Sequence, residues 1–191
     1  MTNREAWLIN AVEAMTPWIT ELDLEVPPMR VSVGWPGGRA PRTTVGQCWP
    51  TTTTEDGIAQ IFMSPVRGKD STVDVLGTLL HEMVHAVDDC ENAHNKGFIA
   101  IARPLGFAAK WTSSSNRTEE LTERLTGLAE RLGEFPSAAI VGGKAADTPK
   151  TQTTRMLKLE AACCGYTVRT TKKWIEQGMP SCPCGTEMEQ T

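Results

Sequence analysis

Leu80-His81-Glu82-Met83-Val84-His85-Ala86-Val87, with His94 shortly after it, is the stretch that decides how this chain is read. On an α-helix, residues four apart lie one turn above each other on the same face, so His81 and His85 can present two imidazole nitrogens to one metal ion. Glu82 directly follows the first histidine, where a carboxylate can take a proton from a water held at that ion. The pattern therefore reads as the helix of a zinc hydrolase. A five-residue motif also occurs by chance, but this chain has only 3 histidines, and all of them fall between positions 81 and 94. A lone histidine is ordinarily a core or surface residue; three in so short a span fit a metal site.

Two residues compete to be the third ligand. His94 can fold back through the turn-forming run Asp88, Asp89, Glu91 and Asn92. Asp89 lies four residues past His85, one turn further along the same face. Imidazole suits zinc, and a carboxylate in Asp89's position can instead orient a ligand histidine, so ligand chemistry favours His94 and leaves Asp89 as the rival.

Outward from the motif, Asp70 or Ser71 can cap a helix whose Val75, Leu76, Leu79, Leu80, Met83, Val84 and Val87 form a broad apolar face ending near Asp89. Upstream, Met29 to Trp35, Thr43 to Trp49 and Ala59 to Met63 read as three short strands, the first stopped by Pro36-Gly37-Gly38. Before them, Trp7, Ala11, Met15, Ile19 and Leu22 recur at helical spacing over residues 4 to 22, with Pro17 expected to break the helix or restart it behind Thr16. Downstream, Phe98, Ile101, Ala102 and Leu105 continue helically until Pro104 and Gly106 intervene. After a loop at Trp111 to Ser115, Asn116 and Glu119 make a capping box for a helix to about Leu132, with Leu121, Leu125, Leu128 and Leu132 on one face.

Periodicity fades after Glu134, and Gly142 to Thr154 reads as a linker. The last forty residues hold Cys163-Cys164-Gly165 and Cys182-Pro183-Cys184-Gly185, two cysteine turns that resemble the knuckles of a zinc ribbon. Their spacing departs from Cys-x-x-Cys, one pair being adjacent and the other separated by one residue. Cys48 and Cys90 stand apart and read as small buried residues. The expected organisation is a catalytic domain over residues 1–141, a linker over 142–155 and a zinc-ribbon-like module over 156–191. The expected fold class is α+β, a zincin-like domain in which a small sheet supports the active-site helix.

A net charge of −4 argues against binding nucleic acid over the whole surface. The charge is uneven, however: residues 144–173 carry 7 basic and 2 acidic side chains. Lys158, Arg169, Lys172 and Lys173 beside Trp174 could meet phosphates and stack a base. Residues at the start have no signal-peptide core, and no run is long and apolar enough to span a membrane, so a cytoplasmic protein with no membrane partner is expected.

Taken in order, Gly46-Gln47-Cys48-Trp49, Ile61-Phe62-Met63-Ser64-Pro65, His81-Glu82-Met83-Val84-His85-Ala86, His94 with Phe98 four later, and the terminal cysteines resemble the SprT-like zinc metallopeptidase family, in the short form found in bacteriophages and their actinobacterial hosts. The resemblance spans about residues 28–112 and 157–188. It implies that His81, His85 and His94 bind a catalytic zinc, resolving the third ligand toward His94, and that Glu82 is the general base and acid. For a phage-encoded chain the compartment would be the host cytoplasm. Members related to Spartan cleave proteins crosslinked to DNA, which implies a protein or peptide substrate and DNA as a partner. The chain departs from the family at Asn95, where glycine usually follows the third histidine, and at Ala161, where the first knuckle cysteine is expected. A second, structural zinc would then rest on Cys164, Cys182 and Cys184, with Cys163 as substitute.

The expected activity is zinc-dependent peptide-bond hydrolysis. The rival is a nucleic-acid-binding zinc protein whose sites are purely structural, Asp89 completing the histidine set, and a virion or assembly component is a third reading. Tyr166, the only tyrosine, reads as a packing residue of the cysteine module.

Overall fold

The structure is a computed structural model and describes residues 3–34, 44–65, 70–136 and 156–191. Trp35, the Pro36-Gly37-Gly38 stop, Thr43 and the expected linker at 142–155 lie outside the described residues. The chain divides into two compact units, Met1–Gly142 and Gly143–Thr191, in a mixed α+β architecture with two small sheets.

The larger unit begins with α1, Arg4–Thr20, capped by the Asn3 side chain accepting from the Ala6 amide. Contrary to expectation, α1 runs unbroken through Pro17. Proline removes one backbone donor, but Trp7, Leu8, Ala11, Met15, Trp18 and Ile19 are buried on both sides of it, and tertiary packing outweighs the lost bond. The Trp7 indole N–H donates to the Gly133 carbonyl at 3.2 Å, so this buried ring keeps its polar atom paired.

Three strands follow: β1 (Met29–Val33), β2 (Gly46–Trp49) and β3 (Ala59–Met63). Their order is β1-β3-β2, with β3 parallel to β1 and antiparallel to β2. Alternation on β3 buries Ala59, Ile61 and Met63 on one face. Among the described residues β2 pairs only with β3 and forms an edge of the sheet.

Helix α2, Thr72–Val87, is capped by Ser71 rather than Asp70, the Ser71 hydroxyl accepting from the Asp74 amide at 3.1 Å. Every residue from Val75 to Ala86 is buried. The helix is sandwiched in the core, where Leu76, Leu79, Leu80, Met83 and Val84 pack with α1 residues, with Val31, Ile61 and Met63 of the sheet, and with Leu121, Leu125 and Leu128 of α4, Glu119–Leu132. Between α2 and α4 runs α3, Lys96–Ala102, which stops ahead of Pro104. The cap of α4 is Thr118, whose side chain accepts from the Leu121 amide, and not Asn116. A bridge pairing Phe107 with Arg117 keeps the approach to α4 extended, and Arg117, with only 9% of its side chain exposed, is tied to Asp74 at 2.7 Å. Those contacts move the helix start two residues past the expected one.

Among the described residues the smaller unit is an antiparallel sheet of β4 (Leu157–Glu160), β5 (Thr167–Thr170) and β6 (Glu189–Gln190), in the order β5-β4-β6, with one short helix, α5, Lys172–Ile175. Its core among the described residues is small: Leu159, Ala161, Cys182 and Met188 are buried, with Val168, Ile175 and Met179 against them. Among the described residues no helix is long and apolar enough to cross a membrane.

Candidate metal centres

His81 and His85 project from the same face of α2, as their spacing requires, and His94 returns to meet them from the loop before α3. The Nε2 atom of His94 lies 3.1 Å from Nε2 of His81 and 3.1 Å from Nε2 of His85. Three nitrogens held at about 2.0 Å from a tetrahedral zinc are about 3.3 Å apart, so the trio already has the spacing of a ligand set. Phe98 supports all three rings, with centroids 5.0 Å from His81, 4.4 Å from His85 and 5.0 Å from His94, and Phe107 meets His81 edge-on.

The loop that returns His94 is built from specific contacts. α2 ends with the Asp89 amide on the Ala86 carbonyl and the Cys90 amide on the His85 carbonyl, and Asp89 adopts a left-handed backbone at φ 46°. The Asp89 carboxylate accepts from the Thr51 amide at 2.7 Å and its hydroxyl at 2.9 Å. With its carboxylate turned to Thr51, Asp89 fastens the end of α2 to the turn after β2. Asp88 accepts from the Asn92 amide and side chain at 2.8 and 2.6 Å. A β-carbon on Gly97 would come within 2.3 Å of Asn92 Nδ2, so glycine there lets the Asn92 side chain, tied to Asp88, lie against the start of α3.

Glu82 is 6% exposed. A β-carbon on Gly46 would lie 2.6 Å from Glu82 Oε1, so glycine at this position is what lets strand β2 close on the carboxyl. Burial, reinforced by nearby Cys90, pushes Glu82 up to about 8, against a backbone hydrogen bond from Cys48 that favours the charged form. Burial and the neighbouring imidazoles hold His81 down at about 3 and His85 at about 4, and burial also lowers His94. All three rings are thus kept neutral at pH 7, the state that binds metal.

Together these groups line a cleft of about 630 Å³, bordered by Gly46 to Trp49 on one side and by Ala93, Thr112 and Ser114 on the other. Thr112 and Ser114, and the roles of Phe107, Asn92 and Gly97, were not foreseeable, because these contacts depend on loop paths that no local pattern encodes. Cys48 and Cys90, expected to be buried, are partly buried on the cleft wall, Cys48 also packing against the core. They are kept there because Cys48 sits on an edge strand and Cys90 in the turn after α2.

The second cluster lies in the smaller unit. Ligand atoms of Cys163, Cys164, Cys182 and Cys184 fall within 4.8 Å of one another, so this group, like the three histidines, could hold a metal ion. Cys163 Sγ and Cys182 Sγ are 3.4 Å apart, near the roughly 3.8 Å expected of two thiolates on one zinc. The adjacent pair thus supplies two thiols from one turn. Ala161, at 1% exposure, is part of the small core, and its carbonyl accepts from the Gly165 amide at 2.9 Å.

Of the residues considered for nucleic acid, Arg169, Lys172, Lys173 and Trp174 are all exposed, Trp174 at 60%. Lys173 Nζ lies 5.2 Å from the Trp174 ring centroid, while Lys172 pairs with Glu176 at 3.7 Å and Lys158 with Glu160. Tyr166 is 46% exposed and does not pack in the core, being carried outward by the turn before β5.

The fold and sites thus define a mixed α+β protein with one three-histidine and one four-cysteine group, each able to hold a metal. The chain matches no protein-family model, no characterised protein and no solved structure.

Proposed function

We propose that the larger unit is a zinc-dependent peptidase of the SprT-like type, in which His81, His85 and His94 hold the ion and Glu82 moves the proton during peptide-bond hydrolysis. The observation that carries this reading is the convergence of three imidazole nitrogens beside a buried carboxyl in an open cleft. Three protein ligands leave a position for water or substrate, as in catalytic rather than structural zinc sites. Asp89, the residue that could have closed the site, is engaged by Thr51 instead.

Zinc bound there would supply Lewis acidity, polarising a scissile carbonyl and making water acidic near neutral pH. The chain's own residues do the rest. The positive charge of a bound zinc would favour the charged form of Glu82 over the neutral form that burial favours, and in that form Glu82 accepts the proton of the attacking water and returns it to the leaving amine. Edge strand β2 offers main-chain groups along the cleft, so an extended peptide can pair with it and bring its carbonyl to the histidines. The smaller unit is proposed to bind a second, structural zinc through its four cysteines, and to present Arg169, Lys173 and Trp174 to nucleic acid, which directs the peptidase to DNA-associated proteins.

The test is cleavage of an unfolded protein by the zinc-loaded full chain, with and without DNA, beside Glu82→Gln. The variant is expected to keep its zinc and lose about 10²- to 10⁴-fold in rate, the range for a general acid–base group. Cleavage by the variant at the parental rate would overturn the assignment.

A further inference from the structure

The peptidase reading leaves two thiols on the cleft wall without a role. Cys48 is the third residue of β2, on the same side of the strand as Gly46, which faces Glu82. Cys90 closes the end of α2 and begins the loop that carries His94. Although 42 positions apart, Cys90 Sγ lies 3.6 Å from the Cys48 carbonyl oxygen. Both border the cleft with His81 and Glu82. Cys90 is held in a left-handed backbone at φ 58°, which a residue with a β-carbon adopts only when its surroundings impose it. The surroundings here are the Cys90 amide on the His85 carbonyl and the adjacent Asp89–Thr51 contacts. The loop thus aims the Cys90 side chain at β2.

We propose that Cys48 and Cys90 are a redox-active pair, whose reversible disulfide staples edge strand β2 to the loop between the second and third histidines and closes the rim of the cleft. The Cys90 sulfur already lies against the Cys48 backbone, so side-chain rotation is the main movement required to reach the bond length of about 2.05 Å. The oxidant is a small-molecule disulfide. Cys90 is the attacking thiol, because it stands in the turn after α2 while Cys48 packs against the core.

In the first step the Cys90 thiolate attacks one sulfur of the small disulfide; that S–S bond breaks, and one small thiolate leaves with the electron pair and takes up the Cys90 proton. In the second, Cys48 loses its proton and attacks the Cys90 sulfur of the mixed disulfide, expelling the other small thiolate, which takes up that proton. Two protein thiols are oxidised and one small disulfide is reduced to two thiols. The effect on turnover rests on the peptidase reading, since the stapled strand is the one on which a peptide would pair; the disulfide itself does not.

The experiment incubates the zinc-loaded full chain with oxidised glutathione, alkylates the remaining thiols, digests with trypsin and maps the peptides by mass. The expected product joins the peptide of residues 43–67 to that of residues 70–96, two hydrogens lighter than their sum, and dithiothreitol separates them. Recovery of Cys48 and Cys90 only as separately alkylated or separately glutathionylated peptides would overturn the pair. Cleavage by the oxidised chain is expected to fall at least tenfold and to recover on reduction, whereas Cys90→Ser should not respond to the oxidant. A linked chain that cleaves at the reduced rate would overturn closure of the rim. Because the linked peptide is read without any peptidase activity, failure of the redox pair and failure of the peptidase reading are distinguishable.

Discussion

The histidine group stands on a helix whose residues from Val75 to Ala86 are all buried, in a core that draws on α1, α4 and a sheet, whereas the cysteine group hangs from two turns around four buried residues. The difference divides the labour between protein and metal. Around the histidines, Phe98, Asp89 and Asp88 hold the three rings together without an ion, so on the peptidase reading a bound metal is left free to serve chemistry. Around the cysteines, so little apolar surface is covered among the described residues that a bound ion would itself have to hold the fold together. Three of those four thiols are exposed, and the four converge within 4.8 Å, close enough to hold one metal ion.

The comparison breaks most visibly on removing metal. A strong chelator is expected to unfold the smaller unit completely while the larger unit keeps its fold, which hydrogen exchange read separately over residues 156–191 and 70–132 will show. Uniform loss of protection in both would erase the distinction. A smaller effect separates ligand from scaffold within the histidine site. Asp89→Ala removes two hydrogen bonds from Thr51 and leaves a non-glycine residue in a left-handed turn, so stability in denaturant should fall by about 1–3 kcal/mol. Its zinc content should stay unchanged; a lost zinc would make Asp89 a ligand after all.

The smallest effect concerns protons. Glu82 is raised to about 8 in the folded, metal-free chain from an ordinary value of 4.5. The folded state therefore binds the extra proton between those values, and the stability this contributes is lost as pH rises through 8. His81 and His85, lowered to about 3 and 4, act in the opposite sense, and their contribution is lost as pH falls below the ordinary histidine value of 6.5. Between pH 6.5 and 8 Glu82 dominates the site, and the metal-free chain should lose up to about 1.4 kcal/mol per pH unit. Glu82→Gln should flatten that slope, and an unchanged slope in the variant would mean that the carboxyl is not desolvated as described.

What was legible in the sequence follows the range of the interactions. His81, Glu82 and His85 are a local pattern on one helix, and Val75 to Val87 announced its burial by composition alone. The three strands upstream were visible in their β-branched alternation, although their order, which places β2 at the edge beside Glu82, depends on pairing that the sequence does not encode locally. Pro17 and Asn116 misled because local signals, a helix breaker and a capping box, were overruled by tertiary burial of α1 and by the Arg117–Asp74 pair. Asp89 competed with His94 on spacing alone; its partner Thr51 is 38 positions away and carried no signal. Ala161 suggested a defective cysteine module, and only the fold of the turn reveals Cys163 beside Cys182 at 3.4 Å.

The central claim is that three histidines, and no carboxylate, bind the ion of the larger unit. The most direct measurement is zinc per chain in the purified protein and in His94→Ala. The account predicts two zincs falling to one, the remaining ion staying with the cysteines. An unchanged zinc content on losing His94 would contradict it.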